Sequence, residues 1–140
     1  MATPTSFSGG CACGAIRYHV SAAPVATLNC HCRDCQKISG APFVSGFIVP
    51  TAALAVHGEV RWFETTGESG ATARRGFCPA CGTALFAESS GASAAFRSVR
   101  AASLDDASWF KPSADIFTRS AQPWAPMDPS IPKFEDSPRV

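Results

Sequence analysis

Seven cysteines gathered into three short clusters constrain this chain more than any other feature of its sequence. The clusters are Cys11-Ala12-Cys13-Gly14, Cys30-His31-Cys32-Arg33-Asp34-Cys35 and Cys78-Pro79-Ala80-Cys81-Gly82. An odd number of cysteines in tight spacings suits metal ligation better than a disulfide framework, because thiols kept reduced remain free to ligate. The third cluster has the form of a zinc knuckle, two cysteines on a tight turn with Gly82 letting backbone amides approach the sulfurs. Structural zinc takes four ligands in a tetrahedron with Zn–S near about 2.3 Å, so one knuckle needs a second pair. Cys11 and Cys13, also followed by a glycine, are its natural complement. A closed four-cysteine site of this kind would pin the N-terminal strand to a distant hairpin.

That pairing leaves Cys30, Cys32 and Cys35. Three thiolates on one tight loop can hold zinc with the fourth position empty or taken by water, which marks a reactive site rather than a structural one. His31 is the rival for that fourth position. It sits between two cysteines whose side chains must converge, so its ring is expected to point elsewhere, hydrogen-bonding the loop or lying at the surface. His57, alone in "LAVHGEV", is expected to be structural or exposed. A thioredoxin-type redox pair is the other reading of a single C-x-x-C, and the two further clusters and the absence of strand–helix alternation argue against it.

At 140 residues the chain is expected to form one domain spanning 1–140, with a core of its own. A 46% hydrophobic and 16% charged composition predicts a packed globule rather than disorder. The formal net charge of +1, with basic residues scattered among acids, offers no footprint for nucleic acid or an anionic membrane. No run approaches the roughly 18 apolar residues that span a bilayer. The N-terminal "MATPTSFSGG" lacks the basic start and apolar core of a signal peptide, and a soluble, cytoplasmic protein is expected.

The periodicity is mostly that of strands. In "AIRYHV", Ile16, Tyr18 and Val20 alternate with Arg17 and His19, the pattern of a half-buried strand. "VATLNC", "PFVSGFIVP", "VRWFETT", "TARRGFC", "TALFAES", "AAFRSVRAA" and "DIFTR" predict further strands. Gly46 inside one of them implies a bulge or a close backbone approach, and Gly67-Glu68-Ser69-Gly70 supplies the glycines of a hairpin loop. "SLDDASW" is expected to form a helical turn with Ser103 as N-cap, and long helices are absent. From Gln122 onward five prolines predict an irregular tail, anchored through Trp124, Met127, Ile131 and Phe134.

The segments "GGCACGAIRY", "CHCRDCQKISGAPF", "RRGFCPACGTALF", "DIFTRSAQPW" and "IPKFE", in this order, resemble the glutathione-dependent formaldehyde-activating enzyme (GFA) family, which also includes centromere protein V. The resemblance spans nearly the whole chain. It implies a mainly β fold, a β-tent of coiled antiparallel sheets pinned by zinc. It implies the same partition of the metal: a structural Zn²⁺ at Cys11, Cys13, Cys78 and Cys81, and a second at Cys30, Cys32 and Cys35, two per chain. It further implies carbon–sulfur lyase activity, with S-hydroxymethylglutathione formed from glutathione and formaldehyde as the named reaction. Where many relatives carry a histidine before the "IF" of the late strand, this chain has Asp115.

A thiol entering an open zinc position loses its proton readily and can then attack an electrophilic carbon. Four thiolates around one dication leave net negative charge, which calls for cations or amide donors nearby. Lys37, Arg33 and the Ser39-Gly40 pair are the candidates by sequence, with solvated surface charge as the plainer reading of Arg33 and Lys37. Arg74 and Arg75 would meet a peptide carboxylate or cap the hairpin edge. The expected partners are a small thiol such as glutathione and an aldehyde. A homodimer is plausible because a sheet-rich fold exposes edges. The alternative class is a non-catalytic zinc-stabilised protein-interaction module, and a nucleic-acid-binding zinc ribbon suffers from the missing basic stripe.

Overall fold

The alternation in "AIRYHV" becomes strand β2 (Arg17–Val20), with Tyr18 and Val20 buried and Arg17 and His19 exposed. The computed structural model describes residues 2–66, 70–90 and 94–137. β2 lies between β1 (Phe7–Gly10) and β5 (Leu54–His57) in a three-stranded antiparallel sheet. Propensity gives little hint of β1, which ends in two glycines. Tertiary packing demands one of them: a Cβ on Gly9 would lie 2.3 Å from Tyr18 Oη and 2.4 Å from the Ser103 carbonyl.

The second sheet has seven strands: β3 (Ala26–Cys30), β4 (Val44–Pro50), β6 (Arg61–Thr66), β7 (Thr72–Phe77), β8 (Ala84–Ser89), β9 (Phe96–Arg100) and β10 (Asp115–Ile116). Their order is β10-β3-β4-β9-β8-β7-β6. The mainly β expectation is met, and the strands pair antiparallel except for β10, which runs parallel to β3. The β6–β7 pair forms with Thr66 opposite Thr72, while residues 67–69 of the expected loop lie outside the described residues. At Gly46 the close-approach expectation applies, since a Cβ there would stand 3.0 Å from the Val99 carbonyl. The register shift in this sheet falls instead between Gly76 and Phe77.

Inward-facing residues of both sheets share one core, with Ile16, Tyr18 and Val20 meeting Phe47, Val49, Leu85, Phe86 and Val99. Phe7 meets Phe47 edge-on with ring centroids 5.3 Å apart, and Tyr18 meets Phe86 at 5.6 Å. Burying a phenylalanine side chain is worth about 2–3 kcal/mol before entropy is charged, so these contacts hold the sheets face to face.

The one α-helix among the described residues, α1 (Arg33–Ser39), grows out of the second cysteine cluster. It is closed by Gly40 in the left-handed region, whose N–H donates to Gln36 O at 2.8 Å. The turn expected in "SLDDASW" is capped differently from the sequence reading. Asp106 Oδ1 accepts from Ser108 N at 3.0 Å, whereas Ser103 sits in a 3-10 turn and donates to the Arg100 carbonyl at 2.7 Å. The tail is irregular as expected, but of its four expected apolar anchors Trp124, Met127 and Phe134 are exposed and Ile131 alone is half-buried. Backbone bonds hold it: Asp115 N donates to Pro132 O, Phe134 N to Asp115 O and Thr118 N to Phe134 O.

Candidate metal centres

Cys11 and Cys13 follow β1, and Cys78 and Cys81 follow β7. Each pair is closed by a left-handed glycine, Gly14 (φ 80°) or Gly82 (φ 77°), whose N–H returns to the carbonyl of Cys11 or Cys78. Ile16 N donates to Cys11 Sγ at 3.2 Å. Thr83 joins the two turns, its Oγ1 accepting from Ala12 N at 3.1 Å and lying 3.1 Å from Cys81 Sγ. All four sulfurs lie within 4.8 Å of one another, with Cys11–Cys13 at 3.6 Å and Cys13–Cys78 at 3.8 Å. A tetrahedral thiolate site with metal–sulfur bonds of about 2.3 Å has edges of about 3.8 Å, so these residues fit a metal ion. The proton energetics agree. Hydrogen bonds from Thr83 lower Cys81 to about 5, while Cys13, despite the Ala15 amide, is raised to about 11 by Cys11 and Cys81. Four clustered thiols resist ionising together unless a cation joins them.

The second set is assembled from a strand end and a helix start rather than from a free loop. Cys30 ends β3, Cys32 N-caps α1 with its Sγ accepting from Cys35 N at 3.3 Å, and Cys35 lies in the first turn. Their sulfurs also lie within 4.8 Å of one another, and no fourth histidine, cysteine or carboxylate joins them among the described residues. Hydrogen bonds from Cys30 and Cys32 depress the Cys35 thiol, helped by the positive charges of Arg100 and Arg75, and the same sulfur contacts raise Cys30. The cluster therefore holds one thiolate readily and needs a cation to hold three.

His31 takes no part in that set. Its ring is fully buried, packs at a tilt against Phe43 with centroids 4.8 Å apart and places Nε2 3.0 Å from Asp115 Oδ1. Asn29 Nδ2 reaches the same oxygen at 3.2 Å. Lys133 Nζ stands 2.9 Å from Asp115 Oδ2, within ion-pair distance though out of line for a hydrogen bond. Burial would raise the Asp115 pKa, but Lys133, His31 and Asn29 together hold it below the ordinary carboxylate value. Asp115 thus anchors the tail and the back of the cysteine loop at once.

Of the other candidates, Lys37 and Arg33 are exposed on α1, and Arg33 bonds the Gln36 side chain. Ser39 donates to the Cys35 carbonyl at 2.7 Å and accepts from Ala41 N at 3.1 Å, finishing the helix. His57 is exposed. Arg74 and Arg75 divide: Arg74 stacks on Trp62 and pairs with Glu88 at 2.7 Å, whereas Arg75 turns inward, 9% exposed. Sequence reasoning missed Arg100, which reads as one more strand residue, and Gln36. The buried Gln36 amide donates to His31 O at 2.6 Å and Ser120 O at 3.0 Å, tying α1 to the tail.

A cavity of about 420 Å³ is lined by Trp62, Phe63, Phe86, Arg61, Arg75 and Arg100, by Ile38 of α1 and by Gly82 beside Cys81. A neighbouring one of about 410 Å³ shares Ile38 and Arg100 and reaches Ser39 and Val44. Val44 packs against Cys32 and Cys35.

Residues 6–120 match the family described as "Glutathione-dependent formaldehyde-activating enzyme" (GFA). No curated protein matches the sequence. The fold resembles a crystal structure of a Rhodobacter sphaeroides protein, a structural genomics target, with a TM-score of 0.56 at 18% identity over 90% of this chain and 98% of that one.

Proposed function

The chain belongs to the glutathione-dependent formaldehyde-activating enzyme family, and on that premise we propose that it is a zinc-dependent carbon–sulfur lyase that forms or cleaves adducts of a small thiol, such as glutathione, with an aldehyde such as formaldehyde. One observation carries this reading: four sulfurs complete one ligand set, while the other has three and no fourth ligand among the described residues. In this reading Cys11, Cys13, Cys78 and Cys81 hold a structural ion within a single domain, and Cys30, Cys32 and Cys35 hold a second. Zinc bound there supplies acidification of a thiol in the remaining position.

The reaction adds S–H across C=O. Sulfur bonds to the carbonyl carbon, the π pair moves to oxygen, and the proton lost by the thiol ends on that oxygen; cleavage is the reverse, and no electrons are gained or lost. Arg75 and Arg100 direct positive charge at Cys35 and so offset the excess of thiolates. Ser39 fixes the helical turn that carries Cys35, and Lys37 adds solvent-screened positive charge on the same helix.

The test is exchange NMR with ¹³C-formaldehyde and glutathione on metal-loaded protein. A saturable acceleration of adduct exchange, returned to the buffer rate by Cys32→Ala, is expected. Exchange at the buffer rate by protein carrying both ions would overturn the lyase reading in favour of a zinc-stabilised protein-interaction module.

A further inference from the structure

Arg75 and Arg100 are unusual in what they lack. Both line the 420 Å³ cavity, and each keeps a buried guanidinium nitrogen without a hydrogen-bond partner, Nε in Arg75 and Nη2 in Arg100. Arg75 donates through Nη1 to Thr65 Oγ1 at 2.6 Å. Other arginines on the same sheet are satisfied by acids: Glu88 takes both Arg74 and Arg97, each at 2.7 Å. Among the described residues, no aspartate or glutamate lines this cavity or the neighbouring one that shares Arg100.

Thiolate charge at Cys35 acts on these cations through space but bonds neither open nitrogen. Buried N–H donors left open cost stability, and two guanidinium groups facing one space repel each other, so the pair calls for an anion that accepts from both. The planar fork of arginine matches a carboxylate. Apart from a third arginine, the exposed Arg61, the rest of the wall is mostly apolar and aromatic, with Trp62, Phe63, Phe77, Phe86 and Ile38. Gly76 makes part of that wall possible, because a Cβ there would stand 3.0 Å from the Trp62 ring. The volume is that of a site for a small organic molecule. Formaldehyde would leave both the cations and the space unused. A zwitterionic peptide would bring an ammonium group that finds no acid among the described residues of these walls.

We propose that Arg75 and Arg100 form a carboxylate-binding site, and that a reactant processed at the Cys30/Cys32/Cys35 centre is an apolar or aromatic carboxylic acid, its carboxylate held by the two arginines and its body by Trp62 and Phe86. This rests on the lyase reading for the word reactant, but the binding site is testable apart from it. Ile38, one turn beyond Cys35 on α1, lines both this cavity and the neighbouring one, which reaches Val44 packed beside Cys32 and Cys35. The carboxylate belongs either to the carbonyl partner, as in a 2-oxo acid, or to the thiol, as in a mercapto acid.

The test uses the metal-loaded protein and a pair of unreactive probes, phenylacetate and its neutral isostere phenylacetamide, followed by titration of the Trp indole N–H resonances. Phenylacetate should bind at least 10-fold more tightly than the amide and shift the Trp62 resonance. Arg75→Gln and Arg100→Gln should each erase most of that preference. Equal binding of acid and amide by the unmodified protein overturns the proposal without recourse to any variant. So does a cobalt-substituted protein whose visible spectrum changes on adding phenylacetate, since the carboxylate would then sit on the metal.

Turnover separates the sources. If Arg75→Gln raises KM for phenylglyoxylate with a neutral thiol, the carbonyl partner carries the carboxylate. If it raises KM for a mercapto acid with formaldehyde, the thiol carries it. Selective phenylacetate binding with no turnover of any pair leaves the site standing and removes the lyase reading. Formaldehyde turnover without acid-over-amide preference does the opposite.

Discussion

His31 Nε2 lies 3.0 Å from Asp115 Oδ1, and both side chains are fully withdrawn from solvent. The histidine that the cysteine cluster offers as a ligand is used to hold a carboxylate behind the loop. Breaking a buried pair of this kind leaves an under-satisfied charge, so His31→Ala should cost on the order of 3 kcal/mol in denaturant melts. The four-cysteine site lies elsewhere, and its metal content should be unchanged by atomic absorption. Loss of that metal in His31→Ala would contradict the separation of the two roles.

Asp115 also sets a pH dependence. Its folded pKa lies below its unfolded value of about 3.9. Its stabilising contribution is therefore complete above that value and disappears as pH falls through the lower folded pKa. The urea midpoints of the unmodified protein and Asp115→Asn should differ most at neutral pH and converge on acidification below about pH 4. A difference that widened toward acid would contradict the sign.

The metal partition predicts two zinc ions per fully loaded chain and unequal consequences for two cysteine variants. Cys81→Ser opens a site that joins sequence positions 65 residues apart, as in the Cys13–Cys78 contact. Metal binding of this type is folding free energy, so the cost should reach several kcal/mol, roughly, where the ion is lost. Cys35→Ser disturbs sulfurs contributed by one strand end and its following helix, and should lower the melting temperature less. A ceiling of one ion per chain, or equal melting temperatures, would count against the partition.

Gly9→Ala probes the join between the sheets. The new methyl would fall 2.3 Å from Tyr18 Oη and 2.4 Å from a backbone carbonyl at Ser103. The Tyr18 hydroxyl is itself held by Ser103 Oγ at 2.7 Å, so neither neighbour is free to yield. Overpacking typically costs about 1–3 kcal/mol, and a loss in that range or above is expected in chemical denaturation. Unchanged stability would mean that the β1 edge shifts freely.

What was legible in the sequence was local. Two cysteines flanking a turn, with a glycine able to adopt positive φ after them, fix where their sulfurs point whatever surrounds them. The knuckles and the mainly β character could be read for that reason. Tyr18 and Val20 showed their inward face because strand periodicity is a property of neighbouring residues. The helix α1 was missed because its N-cap is a cysteine, a residue the capping preferences do not feature. What the tertiary structure alone decided was how polar groups are paired across the chain. His31 and Asp115, 84 residues apart, meet because β10 runs parallel beside β3, and nothing in either segment specifies that neighbour. Arg74 and Arg75 are adjacent in sequence yet one finds Glu88 and the other a cavity, since successive strand residues face opposite ways and only sheet packing settles which side is buried. Arg100 joins Arg75 there through the strand order β9-β8-β7. Local geometry follows from short-range sterics, whereas a buried charge acquires its partner from burial, and burial exists only once the sheets have closed on each other.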